Sequence, residues 1–270
     1  MKQRVISAAV LIVIVLACMI ISPYTRVLLI AAAAIISIKE MINVNKLNGN
    51  ISSNWVLYGY FICHAVLCAL SIKMYIPLIY FVALAFFAMF CAMFDGIIKE
   101  PIHGKGAMAT LAVIMYPLFP YAAVCMIVIS KNWLAVVIIA CLATWICDSF
   151  ALFGGSRFGK HKVAPYVSPN KTVEGCITGA ISSIVSGIIS FLILLALGTH
   201  ISIWLCMLIS LVASTFGQVG DLAASLLKRM VSLKDYSNLI PGHGGMMDRA
   251  DSLLFSIPVT WFMLYIASAL

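Results

Sequence analysis

The feature that most restricts this chain is a run of 46 residues, 175–220, without a single Asp, Glu, Lys or Arg. A helix needs roughly 20 apolar residues to cross the hydrocarbon layer of a bilayer. Irregular backbone cannot face lipid, because its polar groups would go unsatisfied. The run is long enough for two crossings, with Leu197, Gly198, Thr199 and His200 as the natural break. Uncharged stretches also occupy residues 5–25, 47–72, 74–94, 106–130, a shorter 132–147, and 252–270. Residues 27–38 form only a short run. It becomes a span if it extends from Tyr24 to Val44, with Lys39 and Glu40 near the surface.

The spacing predicts an all-α polytopic membrane protein of about nine transmembrane helices. Composition agrees, at 64% hydrophobic and 10% charged residues, where soluble domains carry about a quarter charged. A soluble globule, a disordered chain, a collagen and a nucleic-acid-binding domain are all excluded, so no nucleic acid partner is expected despite the net charge of +8. With nine spans, all but Arg26, Lys73 and Lys131 of the 17 Lys and Arg residues fall on one side, as do all nine acids. Positive charge concentrates on the cytoplasmic side. The N-terminus is therefore predicted to be cytoplasmic, the C-terminus outside, and the chemistry at the inner face of the cell membrane. Residues 1–130 read as a scaffold of about five spans. Residues 131–270 read as a catalytic region with cytoplasmic loops at 154–175 and 228–251. The N-terminal run lacks a small-x-small cleavage site and reads as an uncleaved span. The nine cysteines lie in or beside apolar runs with no C-x-x-C pair, which fits free thiols packed as small hydrophobes.

Several acids stand out by depth. Asp148 follows 16 uncharged residues, about 24 Å of helix, and Asp221 follows about 30 Å of the eighth span. Asp248 and Asp251 open the ninth span and, at i and i+3, are expected on one helical face. A charge near the bilayer is costly unless paired or metal-bound. A salt-bridge network with Lys228, Arg229 and Arg249 is one outcome. A divalent metal held by Asp221, Asp248 and Asp251, with Asp148 as a further ligand, is the other, and carboxylate oxygens suit Mg²⁺.

Two loops look built for phosphate. The first carries Gly154, Gly155, Arg157, Gly159, Lys160 and Lys162, then Ser168, Pro169, Asn170, Lys171, Thr172 and Glu174. Glycines let backbone approach an anion and the bases supply charge, although basic inner loops also serve topology. Thr172 and Glu174 resemble an ordinary helix start. The second loop, with Pro241, Gly242, His243, Gly244 and Gly245, leads into the last helix, where free N–H groups can face an anion. His243 reads as a phosphate donor or a residue holding the turn, with an acid/base role the lesser alternative. The eighth helix should continue past the membrane, since Asp221, Ser225, Lys228 and Arg229 form one polar stripe. Gly175, Gly179, Ser183 and Gly187 form a small-residue ridge for helix packing.

Taken together, Ser225, Lys228, Arg229, Lys234, Asp235, the 241–245 loop, Asp248, Arg249 and Asp251 resemble the C-terminal signature of the phosphatidate cytidylyltransferases, or CDP-diacylglycerol synthases. Asp148 through Lys160 and Ser168 through Gly175 resemble that family's upstream loop. Ala250 departs from the bulkier apolar residue usual there. The resemblance implies synthesis of CDP-diacylglycerol and pyrophosphate from CTP and phosphatidate for phospholipid biosynthesis, with Mg²⁺, and the question of a second cation open, in a homodimer. It implies catalytic roles for Asp221, Asp248, Asp251, Lys171 and His243. Arg157, Lys160, Ser168, Lys171, Lys228, Arg229, Gly244, Gly245 and Arg249 would contact substrate. A cytidylyltransferase for another lipid phosphate is the alternative. An ion-coupled transporter would place its acids near the midplane in repeated halves, and no repeat is found.

Overall fold

A computed structural model describes residues 2–98, 104–240, 242 and 244–269. Helix dominates. The first helix, α1 (Lys2–Ile21), is followed after one residue by α2 (Pro23–Leu47). Ser22 makes the restart possible: its hydroxyl accepts from Thr25 N at 3.2 Å, and the Thr25 hydroxyl accepts from Ser22 N at 3.1 Å. This reciprocal cap satisfies two otherwise orphaned donors, and Pro23 stands where its missing N–H does no harm. The short run at 27–38 thus lies in a 25-residue helix long and apolar enough to cross a membrane, as the extended reading required.

Next come α3 (Asn54–Ser71), α4 (Leu78–Ile98) and α5 (Gly104–Val113). A kinked segment, Ile114–Leu118, joins α5 to α6 (Phe119–Ile127). The ring of Pro117 pushes the preceding residue out of the helical region, and Tyr116 accordingly sits at φ −151°, ψ 117°. The uncharged run at 106–130 is therefore one crossing in length but not one helix.

The remaining elements are α7 (Trp133–Phe158), a hairpin of β1 (Lys162–Ala164) and β2 (Ser168–Thr172), α8 (Val173–Ala196), α9 (Ile203–Met230), the single-turn α10 (Met247–Ala250) and α11 (Leu253–Ala269). The break between α8 and α9 falls where Leu197–His200 predicted it. At 28 residues, or about 42 Å, α9 outruns the hydrocarbon layer as its polar stripe implied. Among the described residues, eight helical segments are long and apolar enough to cross a membrane, and α1 adds a shorter apolar stretch, Ala9–Ile21. The chain is an all-α polytopic membrane protein. All nine cysteines are free.

Contacts divide the chain into two units, Met1–Ser130 with Met230–Arg249, and Lys131–Arg229 with Ala250–Leu270. In the first, α2 is central and packs against α1, α3, α5 and α6. Leu57, Phe61 and Leu118 are fully buried there, and the Ser37 and Tyr121 hydroxyls meet at 2.8 Å. The guanidinium of Arg26 donates to the carbonyls of Met19 and Val128, at 2.9 and 3.0 Å.

The second unit is organised by the small-residue ridge. A side chain at Gly179 would meet the carbonyl of Cys147 and Cβ of Ala151 on α7, and one at Gly187 would meet the backbone of Cys206 and Met207 on α9. Ser183 accepts from Ser214 at 3.0 Å. Close backbone approach gives dispersion contact where no hydrophobic force separates helix from lipid.

Candidate active site

The second unit brings one group of predicted residues together. Lys171, near the end of β2, extends its ammonium to Asp221 Oδ2 on α9, at 2.5 Å. Asp148, on α7, lies close enough for the charges of both Asp221 and Lys171 to act on it. The order of elements explains this. The hairpin folds the chain back between α7 and α8, and Thr172, buried, caps α8 by accepting from Gly175 N at 3.1 Å. Lys171 is thereby fixed one residue before the cap. Thr172 and Glu174 do form the helix start expected of them, and Glu174 also accepts from the amides of Lys160 and His161 and contacts His161 Nδ1 at 2.6 Å.

Asp251 joins this unit through backbone. It lies in a turn between α10 and α11, and its Oδ1 accepts from Ser252 N at 2.7 Å. A Cβ on Gly220, the residue before Asp221, would fall 2.5 Å from the Asp251 carbonyl oxygen. The shared helical face predicted for Asp248 and Asp251 is not formed. Helix stops at Ala250 and resumes at Leu253, because Asp251 turns onto Ser252 and the Ser252 carbonyl starts α11 by accepting from Phe255 N and Ser256 N.

The basic residues are spread along the same unit. Arg157 ends α7 and is exposed, as is Lys160 beyond it. Ser168 begins β2 opposite Ala164. Lys228 is buried at the end of α9, while Arg229 donates from Nε to the Val167 carbonyl at 3.2 Å. Gly154 and Gly155 are not loop glycines. They lie within α7, and a side chain at Gly154 would collide with Thr178 of α8. That pair serves helix packing, not anion approach.

The glycine loop before α10 belongs to the first unit. His243 and Pro241 lie outside the described residues. Gly242 and Gly244 adopt φ of 78° and 81°, left-handed backbone that disfavours any side chain. Asp248 Oδ2 accepts from Tyr236 N and Gly245 N, each at 2.9 Å. Met246 N and Met247 N donate to Glu40 on α2, at 3.0 and 2.8 Å. The amides of 245–247 thus hold two of the chain's own carboxylates. Arg249 is exposed on α10.

Sequence reasoning missed Glu40, which it placed near the surface. The signal available was a single acid inside an otherwise apolar span, and the structure buries it at 5% exposure. Within neither unit, among the described residues, do three or more His, Cys, Asp or Glu side chains form a group able to hold a metal by themselves. Asp221, paired with Lys171, and Asp148, within reach of both their charges, do match Mg²⁺, which takes one or two carboxylates and completes its shell with waters and substrate phosphates.

Comparison with known proteins decides the family. The profile of the cytidylyltransferase family matches residues 2–267. The chain belongs to that family. Phosphatidate cytidylyltransferase of Bacillus subtilis is 39% identical over 140 residues, 52% of this chain and 51% of the relative. That of Staphylococcus saprophyticus is 37% identical over 123 residues, 46% of each chain. That of Staphylococcus haemolyticus is 38% identical over the same length and share. The chain therefore spans about half the length of the curated relatives it matches. The family's match over nearly the whole chain includes the α1–α6 region, where the sequence offered only hydrophobic spans.

Proposed function

We propose that this membrane protein is a phosphatidate cytidylyltransferase, joining the cytidylyl group of CTP to phosphatidate and releasing pyrophosphate. We place its site at the cytoplasmic face of the cell membrane and the chain in a homodimer. The relatives' names support the reaction. The observation that carries it is the Lys171–Asp221 pair with Asp148 beside it, an arrangement able to balance several phosphate charges next to helices that cross the bilayer.

A phosphate oxygen of phosphatidate would attack the α-phosphorus of CTP in line, with pyrophosphate leaving. The second pKa of a phosphate monoester is near 6, so that oxygen is already largely ionised and no general base is assigned. Arg157 and Lys160, exposed on the chain leaving α7, would meet incoming triphosphate. Lys171 would trade part of its contact with Asp221 for phosphate oxygen, with Lys228 and Arg229 adding charge from the end of α9. Such transfer depends on positioning and charge neutralisation more than on covalent chemistry from the protein. Mg²⁺, held by Asp221, Asp148 and Asp251, would neutralise phosphate oxygens, and Asp248, in the first unit, is proposed as a cation ligand.

Purified protein in mixed micelles with labelled CTP and phosphatidate should form CDP-lipid only when a divalent cation is added. Pyrophosphate release without lipid, or full turnover in excess chelator, would refute the scheme. Parallel assays with other lipid phosphates, an isoprenoid ether lipid among them, set the lipid specificity.

A further inference from the structure

We infer that Glu40 is a positioning residue that fixes the start of α10 and, with it, Asp248. The inference rests on the proposed function for the importance of Asp248, but the contact stands by itself within the first unit. Glu40 lies on α2, and its partners lie about 200 positions later: Oε1 accepts from the Ser237 hydroxyl at 2.6 Å and from Met246 N at 3.0 Å, and Oε2 accepts from Met247 N at 2.8 Å. No described Lys or Arg forms an ion pair with it. A buried anion without a counter-cation is expensive, and here, among the described residues, it is stabilised by N–H and O–H groups of one loop. Charge-assisted bonds of this kind are about twice as strong as neutral ones.

The arrangement interlocks with Asp248. The amides of Tyr236 and Gly245 go to Asp248, and those of Met246 and Met247 to Glu40. Two carboxylates thus hold one short segment, within which Met247 is fully buried. Gly245 is required for the same reason, since a Cβ there would fall onto the Glu40 carboxylate. A cavity of about 390 Å³ lies along this contact, lined in part by Lys39, Asn43, Tyr236 and Leu239. Loss of the Glu40 clamp therefore leaves the loop room to move away from α2.

The test is E40Q in the full chain, read by hydrogen exchange and by turnover. Gln presents an N–H₂ where Met246 or Met247 needs an acceptor. Exchange at the amides of Met246 and Met247 should accelerate at least about tenfold, as expected for loss of one charge-assisted bond, while peptides from α3 and α9 keep their rates. Turnover should fall at least about tenfold with the KM for phosphatidate within about twofold. Unchanged exchange at Met246 and Met247 would overturn the inference. So would acceleration spread evenly over the protein, or a loosened loop with normal turnover. If E40Q does not accumulate, G245A attacks the same contact from the loop and must give the same local loosening. A wild-type chain unable to use CTP would refute the proposed function, and the exchange arm would still decide whether Glu40 holds the segment bearing Asp248.

Discussion

Replacing Gly220 by Ala is the sharpest probe of how α9 and the Asp251 turn cooperate. An ideal Cβ at position 220 lies 2.5 Å from the Asp251 carbonyl oxygen, 2.8 Å from Phe255 Cδ2 and 3.3 Å from the Asp251 carbonyl carbon. Ordinary contact begins near 3.5 Å, so the turn must retreat from α9 by about 1 Å. Overpacking of this kind costs about 1–3 kcal/mol, but Ala regains up to about 1 kcal/mol of helix propensity over Gly. The net loss of stability is therefore about 0–3 kcal/mol, a shift of a few degrees in Tm. Activity should suffer far more, because a 1 Å misplacement can cost about 100-fold in rate, and the two backbone segments that part company carry Asp221 and Asp251. Gly217 supplies the control. Its nearest obstacle is the Thr144 methyl at 2.9 Å, with the Ser252 carbonyl at 3.6 Å, so G217A should keep turnover within about threefold. Thermal melts in detergent and the CTP–phosphatidate assay read both effects. A G220A protein with more than half of wild-type turnover, or with loss only in proportion to unfolded protein, would refute the claim that this contact sets the site.

Other outcomes follow from the same geometry. D251N should abolish turnover while membrane insertion, measured by protease accessibility of the loops, stays normal. K171M leaves Asp221 without its 2.5 Å partner; with both side chains about a quarter exposed, the stability cost is about 1–2 kcal/mol, and raised divalent cation should recover melting temperature but not full activity. T172V keeps the shape at the α8 start and removes the cap to Gly175 N, lowering stability by about 1 kcal/mol with CTP turnover reduced through Lys171.

Much of the scaffold was legible because lipid imposes a simple rule on charge. The break between α8 and α9, the length of α9, the Thr172 cap and the 175–187 ridge all follow from local residue types, and the structure has each of them. What escaped depends on partners distant in the chain or on competition between neighbours. Glu40 looks like a surface acid until the loop at 236–247 folds onto it. Gly154 and Gly155 look like a phosphate loop until Thr178 of α8 is seen to need their space. Asp248 and Asp251 look like one helical face until the Ser252 carbonyl is found starting a fresh helix one turn later. The hairpin at 162–172 carries no alternating pattern. Its register is set by a pairing of Lys162 with Thr172, which only the closure of α7 onto α8 enforces.

The ridge on α8 implies an uneven tolerance to change along that helix. Gly175, Gly179, Ser183 and Gly187 are buried, whereas Ile177, Ile181, Val185 and Leu192 are more than half exposed. A saturation library of α8 should therefore show fitness rising and falling with the helical repeat. On one stripe nothing larger than serine survives, and on the opposite stripe almost any greasy residue will do, so drift between species is channelled to the side that the acyl chains wet.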